Sequence, residues 1–171
     1  MLHNAYDNPI GSKVYTKINE SEFSTIMDTT TICVVKEVKS YKEVNDITSH
    51  YICETEDGKI REVRDWEVIA VPDYTLPIDK MIYRYLMDNG VYADVWTSGN
   101  EIAVHIDWGD WKHDFLWTRD LMGYLGYNKV EENVTEEDGS DTYSATQIYE
   151  KSEMMRAYLK KSIALYKNNN R

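Results

Sequence analysis

Two of the chain's three prolines, Pro72 and Pro77, fall within the short run Val71-Pro72-Asp73-Tyr74-Thr75-Leu76-Pro77, and the hydrophobic pattern changes on crossing it. Proline fixes its own φ and biases the residue before it away from helix, so the run reads as a linker. Before it, apolar side chains recur every second residue. After it they first recur at helical spacing. The 171 residues therefore divide into a β-rich domain over 1–73 and an α+β domain over 74–171. With 42% hydrophobic residues the chain has enough apolar side chain to close a core.

In the first domain, Lys13-Val14-Tyr15-Thr16-Lys17-Ile18 alternates polar and apolar residues, the signature of a half-buried strand. Thr30 to Val38 is rich in Thr, Val and Ile, which suit a pleated surface. His50 to Thr55 and Lys59 to Val63 flank Glu56-Asp57-Gly58, and Asp-Gly is a strong hairpin signal. Trp66 to Val71 supplies one more short strand. Five short strands with a tight hairpin near the end resemble, in pattern, a small closed β-barrel of the SH3-like kind.

In the second domain, Ile78, Ile82, Tyr85 and Leu86 share one helical face, Pro77 opens the helix and Asn89-Gly90 stops it. Val91 to Trp96 and Glu101 to Asp107 read as strands joined by Thr97-Ser98-Gly99-Asn100. Asp110 is placed to cap a helix from Trp111 to about Leu125, with Phe115, Leu116, Leu121 or Met122, and Leu125 as its inner stripe. A second hairpin, Lys129 to Thr135 and Thr142 to Tyr149, turns at Glu137-Asp138-Gly139-Ser140. The order α-β-β-α-β-β predicts helices packed on one face of an antiparallel sheet. Met155, Tyr158, Leu159, Ile163 and Tyr166 predict a C-terminal amphipathic helix. No internal repeat occurs at solenoid periods.

Charge is distributed unevenly. Residues 75–150 carry 15 acidic and 5 basic side chains, whereas residues 151–171 carry one acid and 6 bases. The densest acidic run is Glu131, Glu132, Glu136, Glu137, Asp138 and Asp141, at the second hairpin. As a solvated edge it discourages strand pairing between molecules. As a surface it attracts cationic partners, with screening over about 8 Å at physiological salt. Direct binding of nucleic acid is not expected, because that requires clustered Lys and Arg. Lys151, Arg156, Lys160, Lys161 and Lys167 fit the polar face of the last helix.

One stretch resembles a reactive site: His105-Ile106-Asp107-Trp108-Gly109-Asp110-Trp111-Lys112-His113-Asp114. His105 and Asp107, two apart on a strand, point to the same face. With Asp110 and His113 they form a candidate ligand set for a divalent metal, which would activate water for hydrolysis. A structural corner explains the same residues: Asp110 caps, Asp114 favours the positive end of the helix dipole, and Trp108 and Trp111 fill the angle between sheet and helix. There is no Gly-rich phosphate loop and no Gly-x-Ser-x-Gly elbow.

The 14 Tyr and 5 Trp against 2 Phe favour side chains with both an apolar body and a polar tip, which are enriched in interfaces. Cys33 and Cys53 read as buried hydrophobes of neighbouring strands. Met1 to Ile10 lacks the cationic start and apolar core of a signal peptide, and no run approaches the roughly 18 apolar residues of a membrane span. The expectation is a cytoplasmic, non-enzymatic binding protein without a cofactor. Its acidic second domain would meet a basic protein surface. In the sharper form it imitates a nucleic acid and inhibits a DNA- or RNA-handling protein, as phages and mobile elements do. The metal-dependent hydrolase is the alternative.

Overall fold

The computed structural model describes residues 8–43, 46–109, 114–136 and 143–152, with backbone alone at 41–43, 46–48, 108 and 136. The described residues form two compact units that change over between Val71 and Pro72. Both are built on antiparallel sheets, and with two α-helices among the described residues the fold is α+β.

The first unit contains β1 (Lys13–Ser21), β2 (Ser24–Glu43), β3 (Asp46–Thr55), β4 (Ile60–Arg64) and β5 (Val68–Ala70), with a 3-10 turn over Asp65–Glu67. Strand order is β4-β3-β2-β1-β5. β4 and β5 thus lie at opposite edges, yet only three residues separate them. Four inter-strand spacings in a flat sheet come to roughly 19 Å. Three intervening residues reach at most about 14 Å even when extended. The sheet is therefore curled, so that its two edges approach. The expected closed barrel is not completed: among the described residues β4 pairs only with β3 and β5 only with β1.

β2 runs for 20 residues, far beyond the expected Thr30–Val38. Its ladder with β1 skips: Val14 faces Cys33, but Thr16 faces Asp28, two steps on β1 against five on β2. Such excess residues bend a strand. Asp28 shapes the bend, because its Oδ1 accepts from the Thr30 amide at 3.0 Å and from the Thr30 hydroxyl at 2.6 Å. Arg61 Nη1 closes the other side, donating to Asp28 Oδ2 at 3.2 Å and to Thr16 Oγ1 at 3.0 Å. Burial pushes the Asp28 carboxyl up, but the bonds from Thr30 and Thr31, together with Arg61, outweigh it and hold the group below the usual carboxylate range. Val14, Cys33, Val35, Tyr51, Cys53, Val63 and Val68 pack as the core. Both cysteines are buried free thiols, as expected.

The second unit follows the expected order: α1 (Ile78–Asp88), β6 (Asp94–Ser98), β7 (Glu101–Gly109), α2 (Leu116–Tyr124), β8 (Tyr127–Glu136) and β9 (Tyr143–Lys151). The sheet order is β6-β7-β9-β8. The α-β-β run occurs twice, and the second strand of each run lies at the centre of the sheet. α1 buries Met81, Ile82, Tyr85 and Leu86, while Ile78, expected on that stripe, remains exposed. Gly90 ends α1 at φ +85°: its amide donates to the Met87 carbonyl and the Val91 amide to that of Leu86. These two bonds make a Schellman cap, which favours glycine at the left-handed position. α2 buries Leu121 and Met122, and Phe115 and Leu125 flank it inside the core; Leu116 is half-buried.

Tyr85 Oη donates to the Leu121 carbonyl at 2.7 Å, tying α1 to α2. Gln147 Nε2, on β9, donates to the Phe115 carbonyl at 3.2 Å. Both helices therefore cover the same sheet face, the one to which Ile102, Val104, Ile106, Ala145, Gln147 and Tyr149 point. Among the described residues no helix is long and apolar enough to cross a membrane. The expected C-terminal helix and the Asp110 cap lie outside the described residues.

Candidate functional site

Side chains alternate between the two faces of a strand, so the ladders of the second unit also define a helix-free face. Ladder partners align its residues in rows across β6, β7, β9 and β8. One row is Ser98, Glu101, Glu150 and Asn128; the next is Trp96, Ala103, Ile148 and Glu131. A third is Asp94, His105, Thr146 and Asn133. Asp107 and Ser144 follow, joined by a hydrogen bond from Ser144 Oγ to Asp107 Oδ1 at 3.1 Å.

Asp94, Glu101, Asp107, Glu131 and Glu150 are all exposed on this face. Among the described side chains that the four strands turn to it, none is Lys or Arg. Glu101 and Glu150 are direct ladder partners, and like charges directly opposite destabilise a sheet. Trp96, 45% exposed, lies on the neighbouring row and gives the carboxylates an apolar centre.

His105 occupies the middle of the third row. Its Nε2 is 2.9 Å from Asp107 Oδ1 and its Nδ1 is 2.8 Å from Thr146 Oγ1. Both ring nitrogens therefore have hydrogen-bond partners. The structure brings together His105 and Asp107 of the expected metal set, while Asp110 and His113 lie outside the described residues. Among the described residues, no group of three or more His, Cys, Asp or Glu is arranged to hold a metal ion.

The described members of the acidic run do not all share one face of the sheet. Glu131 reaches the helix-free face, but Glu132 turns to the opposite one, where its side chain is only 12% exposed. There Glu132 Oε2 accepts from Lys129 Nζ at 3.0 Å and from Gln147 Nε2 at 2.7 Å. The cause is a bulge at Val130: Lys129 faces Tyr149 but Glu131 faces Ile148. Glu136 pairs with Tyr143 at the end of β8, and Glu137, Asp138 and Asp141 lie outside the described residues.

The helix side carries a shallow cleft of about 620 Å³ between α2 and the start of β8, where Arg119 and Lys129 are mixed with Asp120. Burial and then the Asp120 charge push the Tyr124 phenol up. This cleft favours neither sign of ligand, in contrast to the uniformly acidic face.

Sequence reasoning missed Asp94, Trp96, Glu101, Thr146 and Glu150. The signal was present in the alternation of Glu101-Ile102-Ala103-Val104-His105-Ile106-Asp107, whose odd positions share one face. No known protein family, curated protein or solved structure matches the chain.

Proposed function

We propose that the helix-free face of the second unit docks a basic protein surface. The observation that carries this reading is the gathering of Asp94, Glu101, Asp107, Glu131 and Glu150 on one face without a described Lys or Arg among them. A cation placed between Glu101 and Glu150 relieves their repulsion, and Trp96 beside them offers a ring face to a guanidinium. Such a face raises encounter rates with cationic partners and disfavours nucleic acid itself. In its sharper form the partner is a DNA- or RNA-handling protein whose basic groove receives the carboxylate rows in place of phosphates. The docking surface is thus the sheet face.

The test compares two variants with the same change in net charge, using an oligolysine peptide as probe. Reversing Asp94, Glu101 and Glu150 together to Lys abolishes binding and its steep salt dependence. Reversing Glu136, Glu137 and Asp138 leaves most of it. If both variants bind the probe alike, net charge alone explains the attraction and the face is not the contact.

Three finer readings belong to the same proposal. The curl imposed by the short Asp65–Glu67 link, and the return of β5 to β1, support an SH3-like first unit. The C-terminal amphipathic helix rests on sequence spacing alone. Two buried free thiols suit a reducing compartment, which supports a cytoplasmic setting.

A further inference from the structure

The row through His105 uses one carboxylate of the face, Asp107, in a second way. An ionised carboxylate only accepts hydrogen bonds, so the proton between His105 and Asp107 sits on Nε2 and is donated to Asp107 Oδ1 at 2.9 Å. In the neutral imidazole Nδ1 then presents a lone pair, and the Thr146 hydroxyl donates into it at 2.8 Å. Ser144 Oγ donates to the same carboxylate oxygen at 3.1 Å and steadies it. For the neutral imidazole the chain runs in one direction: hydroxyl to imidazole to carboxylate. A nucleophile, its base and a group that orients the base stand in that order.

We propose that Thr146 is a nucleophile for acyl transfer from esters, with His105 as general base and Asp107 as a positioning residue. Thr146 Oγ1 bonds to the ester carbonyl carbon while its proton passes to His105 Nδ1. The bond to the leaving alcohol breaks, His105 returns the proton to that alcohol, and Thr146 is left acylated. Water, deprotonated by the same imidazole, then adds to the acyl carbon. The carboxylic acid leaves, and the proton returns to Thr146. The Thr146 side chain is half-buried and that of His105 is 30% exposed, so an ester reaches both from the open face. Asn133, the ladder partner of Thr146 on β8, brings a side-chain amide to the same row, now donating to Glu131 Oε1 at 3.2 Å. Turned toward Thr146, that amide is a donor for the developing oxyanion. The surrounding carboxylates select neutral or cationic esters and repel anionic ones.

The experiment treats the full chain with p-nitrophenyl acetate, follows nitrophenolate release and locates the acetyl group by peptide mass. The expected result is a burst of release with acetyl on Thr146. Labelling is slowed about 100-fold or more in His105→Gln, as expected for loss of a general base. Thr146→Ser keeps the label and Thr146→Val loses it, with unchanged circular dichroism in both. Asp107→Asn slows labelling without moving it. Acetyl found only on lysines, or Thr146 labelling that is as fast in His105→Gln as in the parent, overturns the proposal. The probe is neutral, so either result leaves the docking of a basic partner to its own test.

Discussion

Glu101 and Glu150 stand directly opposite one another in the β7–β9 ladder, both exposed. Glu150→Lys converts this repulsion into an attractive cross-strand pair. The variant should gain about 0.2–1 kcal/mol of stability in urea unfolding while binding the oligolysine probe more weakly. A gain in stability together with a loss of binding is what a surface held for docking predicts. If stability falls instead, the two carboxylates do not oppose each other as the ladder implies.

Asp28 holds the bend of β2 and neutralises Arg61 in one place. Asp28→Ala removes both roles and should cost about 2–3 kcal/mol. Asp28→Asn keeps an oxygen for the Thr30 bonds and should cost less. The folded group titrates below its unfolded value, so its contribution is complete above about pH 4. That contribution is lost as pH falls through the folded value. Unfolding midpoints measured down the acid range should therefore converge between parent and Asp28→Asn.

Gln147 connects the helix side of the sheet: Nε2 bonds the Phe115 carbonyl and Glu132, and Tyr149 Oη donates to Oε1 at 2.6 Å. Gln147→Leu removes all three hydrogen bonds and should cost about 3 kcal/mol. Tyr149→Phe removes one bond and should cost about 1 kcal/mol. Thermal unfolding of the two variants checks the ratio.

Burial pushes the Cys53 thiol up to about 12, with Cys33 beside it adding to the effect against Arg61. Cys33 is likewise raised by burial. Neither thiol should react with a disulfide reagent at neutral pH until the first unit unfolds, so labelling should track unfolding in urea. Since the folded values lie above the unfolded ones, this stabilisation is full below about pH 8.5 and declines as pH rises past it.

A Cβ on Gly109 would lie 2.8 Å from both Ile106 Cγ2 and Phe115 Cε1. Both atoms belong to buried side chains, so Gly109→Ala forces the core apart and should cost about 1–3 kcal/mol. Gly123→Ala meets nothing within 4 Å and serves as the control in the same unfolding assay.

The second unit was legible because its signals are local. Pro77 and Gly90 bracket α1, and Gly99-Asn100 alone separates β6 from β7. The face of Glu132 was not legible, because one extra residue at Val130 inverts every later side chain and no residue type announces it. β2 was misjudged for a related reason: the turn at Glu22-Phe23 lacks Gly, Asn and Pro, and the excess over Thr29–Ile32 is visible only against its partner strand. The helix-free face escaped notice because its carboxylates are spread over four strands. Proximity there comes from register, whereas the hairpin run drew attention by adjacency in sequence.

Val14 is paired with Ala70, and the Val71 amide donates to the Lys13 carbonyl at 3.2 Å. The start of β1 and the residue after β5 are thus joined by one backbone hydrogen bond. A covalent join between the first and last strands of the first unit would therefore need little added chain, which is the geometry that circular permutation asks for.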